Sequence, residues 1–335
     1  MNVRAHDVEW ISVDDGSVPG RVRLSATRLA QSLGFDEHRT GQIAIAATEL
    51  ATNLYRHAED GAVLLRVCRD AEVAAVELVA LDKGPGMDNV AAACEDGRTT
   101  AGTLGIGLGS VLRAATWFRV HSVPGRGTVI AVTFFPQKAS ALPPTAAGLT
   151  RPMSQETVCG DAWAQRRWDG GTSLVLADGL GHGELAAVAA RKAVDAFYNV
   201  PSVEHPSATI EAINVALRGT RGAAVSALSI DSSTSRVRFA GVGTVSVWID
   251  DGERRHAFAP APGILGTFSK RVREIESPIA PNSVVVLHSD GLTSKWSLSH
   301  YPGLRVNDPL VIAATLLRDA GIRHDDACIL VSKAA

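Results

Sequence analysis

The sequence predicts two α+β domains in one chain, and three observations carry that prediction. At 335 residues the chain is long enough for two separate hydrophobic cores. Helical periodicity opens the first half, whereas the second half is rich in β-branched, alternating segments. Between them, residues 138–152 are small and proline-containing without apolar periodicity, the composition of a linker. The expected organisation is therefore a domain over 1–137, a linker over 138–152 and a second domain over 153–335.

In the first half, Val22, Leu29 and Leu33 take helical spacing over 20–34, closed by Gly34 as a C-cap. A second helix is expected from about Glu37 to His57, with Ile43, Ala47, Leu50 and Leu54 on its buried side. Strands follow at 62–68 and 73–81. A glycine cluster at 102–109 leads into a helix through Val111, Leu112 and Ala115, and a hairpin of 117–123 and 128–135 turns at Pro124-Gly125-Arg126-Gly127. In the second half, strands are expected at 157–166, 172–178, 223–230, 235–241, 244–250 and 283–288. Helices are expected at 183–199, 207–218 and 308–320.

Composition narrows the function classes. A hydrophobic share of 46% against 20% charged residues belongs to a folded chain, not a disordered one. A formal charge of −2 argues against nucleic acid as a partner, because phosphate backbones select basic surfaces. Local acidic clusters instead invite divalent cations. Cys68, Cys94, Cys159 and Cys328 form no C-x-x-C pair, so neither a zinc site nor a disulfide framework is expected, and a reducing cytosol is the natural compartment. The N-terminal stretch lacks the apolar run of a signal peptide, and no segment is apolar over the length needed to span a bilayer. The expectation is a cytoplasmic protein with no membrane partner.

The first half carries the chemistry of a nucleotide pocket. Glu49 and Asn53 stand one turn apart on one helix face, where a carboxylate and a carboxamide can hold Mg²⁺ and orient a hydroxyl against a γ-phosphate. Asp82 ends an apolar strand, placed to accept a hydrogen bond from an exocyclic amine. Gly84 and Gly86 let backbone approach a flat ring. Gly105, Gly107 and Gly109 precede a helix whose free N–H groups can cradle phosphates. Each piece alone is commonly a solvated helix face, a turn or a loop; their order and spacing together point to the pocket.

Residues 20–136 resemble the GHKL ATPase fold, and within it the small serine kinases of the anti-sigma and stressosome type (RsbT-like). The motifs are Thr48-Glu49-Leu50-Ala51-Thr52-Asn53 with His57-Ala58, Asp82-Lys83-Gly84-Pro85-Gly86-Met87, Thr103 to Gly109, and Gly125-Arg126-Gly127-Thr128. The resemblance implies a GHKL-type α/β sandwich that binds ATP, with Asn53 on Mg²⁺, Glu49 assisting transfer to a protein serine or threonine, Asp82 recognising adenine and Thr128 in the final turn. No helix with a phosphoacceptor histidine precedes this domain, which argues against a sensor histidine kinase. The lid, 88–104, is short.

The second half carries widely separated aspartates, Asp161, Asp178, Asp290 and Asp325, each beside glycine or another acid near a strand or loop end. Brought together they would repel unless cations neutralise them. Oxygen ligation favours Mg²⁺ or Mn²⁺ over zinc, and two such ions about 3.5–4 Å apart can activate a water for in-line attack on a phosphate ester. Asp250-Asp251-Gly252, by contrast, reads as an ordinary hairpin turn.

As an ordered set, Cys159-Gly160-Asp161, Ala177 to Gly183, Ser289 to Thr293 and His324 to Ala327 resemble the SpoIIE-type branch of the PPM serine/threonine phosphatases over residues 157–332. That resemblance implies a PPM-type β-sandwich flanked by helices. It has Asp178 bridging two Mn²⁺ or Mg²⁺ ions, the Gly179 carbonyl on one, and Asp161, Asp290 and Asp325 completing the cluster, with Asp326 outside it. Cys159 stands where glycine is usual, as a small buried residue. Leu180 stands where some relatives place a general-acid histidine, and whether His182 substitutes for it or packs at a helix N-terminus is left open.

The two resemblances imply a bifunctional regulator, a serine kinase joined to a metal-dependent phosphatase. The implied substrates are STAS-domain proteins, either anti-sigma antagonists or stressosome scaffolds. Two alternatives stand beside it: a phosphatase whose first domain only senses ATP, and a non-catalytic module that binds a sigma factor.

Overall fold

The computed structural model of the chain describes residues 4–70, 73–95, 107–136, 144–268 and 270–334. Two units emerge from its packing: Arg4–Pro143 with Tyr301–Arg318, and Pro144–His300 with Asp319–Ala335.

The first unit opens with β1 (Arg4–Ser12), a strand absent from the sequence reading, and α1 (Val18–Ser32). Asp36 then caps α2 (Glu37–His57) by accepting the Arg39 N–H at 2.6 Å, while Arg56 and His57 in the last turn complement the helix dipole. β2 (Ala62–Asp70), β3 (Val73–Leu81), the short α3 (Val90–Ala93), α4 (Leu108–Ala114), β4 (Trp117–Ser122) and β5 (Thr128–Phe134) follow. The five strands make one antiparallel sheet in the order β1-β2-β3-β5-β4. Val22, Ala26 and Ala30 of α1 and Ile43, Ala47 and Leu50 of α2 pack on one sheet face against Val63, Leu65, Val76, Leu78, Val132 and Phe134. That packing fixes the flank of α2 that carries Glu49 and Asn53.

A buried charge network crosses the same sheet. Glu77 receives Arg119 Nη2 at 2.9 Å and the Thr133 hydroxyl at 2.6 Å, and its other oxygen lies 3.4 Å from Arg66 Nε. Arg66 also meets Asp7 at 3.3 Å, and Arg119 meets Asp308 at 3.4 Å. Burial, the largest influence on Glu77, would raise its pKa; Arg119 and Arg66 with Thr133 hold it below the usual carboxylate range.

The second unit begins with β6 (Ala146–Arg151), a strand inside the span 138–152 expected as linker, of which 138–143 lie outside the described residues. Its small residues are chosen for packing: β6 pairs with the last strand, and a Cβ on Gly148 would sit 2.6 Å from the Trp163 ring. β7 (Asp161–Trp168), β8 (Gly171–Gly179), α5 (Glu184–Asn199), α6 (Pro206–Ala216), β9 (Ala223–Asp231), β10 (Arg236–Val242), β11 (Ser246–Asp250), β12 (Arg255–Phe258), β13 (Ile275–Pro278), β14 (Val284–His288), α7 (Pro309–Ala320) and β15 (Ala327–Lys333) complete the chain. Of these, Pro309–Arg318 of α7 belongs to the first unit. Two antiparallel sheets result, β13-β10-β9-β8-β7 and β12-β11-β14-β15-β6. Leu174, Leu176, Leu228, Phe239, Val247, Leu287 and Leu330 form the core shared by the two sheets, and α5 and α6 cover Val175, Ala177, Val225 and Ala240. Asp250 and Asp251 accept the N–H groups of Gly252 and Arg254 and make the β11–β12 turn.

Replacing Glu77 with Ala leaves Arg66 and Arg119 buried without their shared carboxylate. The expected cost is about 3–5 kcal/mol, read as a lowered urea midpoint of the first unit's unfolding transition.

Candidate functional site

In the first unit, a cavity of about 420 Å³ opens between α2 and the sheet, within the range of small-molecule sites. Its wall contains Glu49, Asn53, Asp82, Gly86, Gly107 and Thr128, six of the residues singled out in the sequence. Gly84 and Gly109 do not line it, and Gly105 lies outside the described residues. Glu49 is half-buried, and that burial raises its pKa, with Arg56 pulling the other way.

The Asp82 end of the cavity is a tight backbone construction. Asp82 Oδ1 accepts the Gly84 N–H at 2.7 Å, and the Asp82 N–H donates to Thr128 O at 3.0 Å. A Cβ on Gly86, at φ +70°, would stand 2.3 Å from Val123 O. One on Gly127, at φ +76°, would stand 2.0 Å from Asp82 O. Only glycine closes either contact. The Gly84 N–H thus orients Asp82. Burial, the leading effect, raises the Asp82 pKa. Two residues of this site escaped the sequence reading. Arg56 lines the cavity three positions beyond Asn53, and that spacing was the available signal. Arg318, in the part of α7 that belongs to this unit, donates from Nη1 to Asp82 O at 2.8 Å, and no local motif announces it.

In the second unit the strand register does the gathering. β7 and β8 pair so that Asp161 lies directly opposite Asp178, an arrangement that is unfavourable for two like charges. Asp290 follows β14 and Asp325 precedes β15, which pair antiparallel, and both carboxylates press on this pair. Burial first, then Asp161 and Asp290, push Asp178 up to about 9, and Asp178 shares a hydrogen bond with Asp290. Burial likewise pushes Asp161 up to about 7, against the Ser289 hydroxyl that donates to it. Asp161 Oδ2 is buried with no hydrogen-bond partner. Asp325 is raised by burial and by Asp290. Among the described residues no three acid, thiol or imidazole groups stand at the spacing of a closed cage around one ion. The aspartates raise one another, and an orphaned, buried oxygen with carboxylate neighbours is a donor set that suits a hard divalent cation.

Asp326 does something else. Its Oδ1 accepts the Met153 N–H at 2.8 Å and its Oδ2 the Gly160 N–H at 2.9 Å, so it braces the loop that ends at Asp161. Gly179 donates to Gly160 O at 3.1 Å, and a Cβ there would stand 2.2 Å from Ala186 O. Cys159 is half-buried, its thiol donating to Arg151 O at 3.5 Å, and burial pushes that thiol up. Leu180 is exposed. His182 is exposed too, with Nδ1 2.9 Å from Glu156 Oε1, a partner the sequence reading missed.

The profile of the family described as "Stage II sporulation protein E (SpoIIE)" matches residues 168–335, half of the chain. The chain belongs to the SpoIIE family. The profile of the "Histidine kinase-like ATPase domain" matches residues 11–134. The serine/threonine-protein kinase RsbT of Bacillus subtilis (strain 168) is 36% identical over 108 residues, covering 32% of this chain and 81% of that protein. The first unit therefore carries a domain of the RsbT kinase family. Phosphoserine phosphatase RsbX of the same strain is 29% identical over 147 residues, covering 43% of this chain and 73% of RsbX. A structure from a study of the bacterial stressosome as a modular system aligns with TM-score 0.51 and 26% identity, over 56% of this chain and 98% of its own. The SpoIIE-family member thus joins an RsbT-like domain to a serine/threonine phosphatase domain. Among its described residues no helix is long and apolar enough to cross a membrane.

The raised acids set a pH dependence. The folded pKa values of Asp161 and Asp178 lie above their unfolded value of 3.8, so the folded chain holds protons that the unfolded chain has released. In chelator, stability of the second unit falls as pH rises from about 5 to about 9, and Asp178→Asn flattens that fall; urea midpoints across the range read both.

Proposed function

We propose that this protein is a bifunctional regulator of bacterial partner switching, an ATP-dependent protein serine kinase joined to a metal-dependent phosphoserine/phosphothreonine phosphatase. The reading rests on one observation: a single chain holds both a nucleotide-sized cavity walled by Glu49, Asn53 and Asp82 and a cluster of aspartates that raise one another's pKa values. Similarity to both RsbT and RsbX supports it. The substrates we assign are STAS-domain proteins, anti-sigma antagonists or stressosome scaffolds.

In the first unit, Asp82 would read the adenine amine, Asn53 would hold Mg²⁺, and Gly107 at the cavity wall would lie on the phosphate side. Glu49, its pKa raised by burial, accepts the proton of the attacking serine hydroxyl. In the second unit, Asp161, Asp178, Asp290 and Asp325, with the Gly179 carbonyl, would hold two Mn²⁺ or Mg²⁺ ions. When bound, the cations supply Lewis acidity toward the phosphoryl oxygens and a nucleophilic water at neutral pH. The residues' own contribution is to fix the carboxylates rigidly: Asp326 and Ser289 brace Asp161, and the Gly179–Gly160 contact locks the Asp178 strand end.

Opposed activities on one serine would only consume ATP, so control of one site by the other is part of the proposal.

The test uses the full chain with a STAS-domain protein as probe. With manganese, wild-type protein removes phosphate from the phosphoserine form and Asp178→Ala does not; equal rates refute the phosphatase assignment. With labelled ATP, wild-type protein labels the STAS protein and Asn53→Ala does not; binding without transfer leaves the first unit a nucleotide sensor. If Asn53→Ala also leaves the phosphatase rate unresponsive to ATP, the control runs as proposed, and a response identical to wild type overturns it.

A further inference from the structure

Asp82 stands just past the end of β3, and its peptide is held from three directions. Its N–H donates to Thr128 O at 3.0 Å, its Oδ1 accepts the Gly84 N–H at 2.7 Å, and its carbonyl accepts from Arg318 Nη1 at 2.8 Å. The first two partners come from the same sheet and the turn that follows β3. The third stands 236 residues further along the chain, outside the stretch 11–134 that matches the ATPase profile.

The segment that brings Arg318 there, Tyr301–Arg318, belongs to the first unit and is tied to it at several points. Pro302 O lies 3.0 Å from His121 Nε2, Asn307 Nδ2 donates to Val120 O at 2.9 Å, and Asp308 Oδ1 lies 3.4 Å from Arg119 Nη1. All three anchors are on β4. Asp308 then starts α7, its Oδ1 accepting the Leu310 N–H at 2.9 Å. From Asp308 to Arg318 the helix rises about 15 Å. β4 and β3 stand two strands apart, about 10 Å, with β5 between them. A helix pinned on β4 therefore has the reach to meet the end of β3 with Arg318. Arg318 is itself buried, and burying a guanidinium is costly unless its donors are used.

The carboxyl that this peptide carries lines the cavity. Burial, the leading influence, raises its pKa, while the Gly84 N–H and then the Arg318 charge pull it down. An ionised carboxylate accepts from an exocyclic amine; a base with an oxygen in that place meets it as acceptor against acceptor.

We infer that Arg318 is a positioning residue for base recognition, holding the Asp82 peptide so that its carboxyl is aimed at an adenine amine. The inference rests on the nucleotide reading above. It makes the nucleotide site composite: a domain matched by the ATPase profile is completed by a helix that the profile does not include. Selectivity for the base is then set partly by Tyr301–Arg318, which ties the Asp82 carbonyl to β4 through α7.

The test is calorimetric binding of ADP and of inosine diphosphate, with magnesium, to the full chain. The two ligands differ only in the base, where a carbonyl oxygen replaces the amine. Wild type should prefer ADP by roughly 10- to 100-fold, because inosine leaves the carboxylate facing an acceptor. In Arg318→Gln, ADP affinity should fall about tenfold while inosine diphosphate affinity stays, so the preference narrows by that factor. Arg318→Lys keeps a charge and a donor and should recover part of it. Equal losses on both nucleotides, or an undiminished preference in Arg318→Gln, overturn the inference and leave the nucleotide reading intact. Should the glutamine protein fail to fold by circular dichroism, Arg318→Lys carries the test: a narrowed preference supports the inference, an unchanged one overturns it. Wild-type protein that binds both nucleotides equally sinks the adenine reading of Asp82, and this inference with it.

Discussion

The second unit depends on one unfavourable placement, the pairing of Asp161 opposite Asp178 across β7 and β8. Two carboxylates in adjacent register repel, and burial makes each ionised form costlier still. Asp290 and Asp325 add to the same field, and Asp326 adds to it at Asp161. The surrounding structure is built to hold that placement. Asp326 clamps the loop before Asp161 through two backbone N–H groups, and a Cβ on Gly291 would sit 1.9 Å from Asp326 O, so the loops at this end of the sandwich close without side chains between them. Stability is surrendered at the site and recovered in the apolar core between the sheets.

Set beside this, the buried acid of the first unit shows why burial alone does not mark a site. Glu77 is as deeply buried as any of the aspartates, yet Arg119 and Arg66 with Thr133 keep it ionised. Its charges close on one another, which is the pattern of a structural network. Asp161 and Asp178 are instead raised by burial and by the acids around them, which is the pattern of a ligand site. The Asp82 end of the first unit's cavity differs again, being set by close backbone approach at Gly86 and Gly127.

Much of this was legible in the sequence because it is local. The span Glu37–His57 was readable from apolar spacing bounded by Asp36 and the basic last turn, and the glycine-marked ends of β3 and β8 located Asp82 and Asp178. What was not legible is what depends on distant partners. Ala146–Arg151 looks like linker because its small residues are small for Trp163 and β15, neither of them nearby in sequence. β1, β12, β13 and β15 escaped notice, and β15 is a buried strand whose pairing on both sides is long-range. Glu156 and Arg318 carry no motif; each gains meaning only through a contact, with His182 and with the Asp82 carbonyl. Gly84 matched its motif but serves Asp82 rather than the cavity wall.

The claim most exposed to test is that the aspartate cluster exists to take up cations and is protonated without them. Calorimetric titration of manganese into chelator-treated protein at neutral pH, repeated in buffers of different ionisation enthalpy, counts both ions bound and protons released. With Asp178 raised to about 9 and Asp161 to about 7, cation binding must expel protons, and Asp178→Asn should bind more weakly and release fewer. Manganese binding with no proton release, or binding indifferent to Asp178→Asn, would contradict the account.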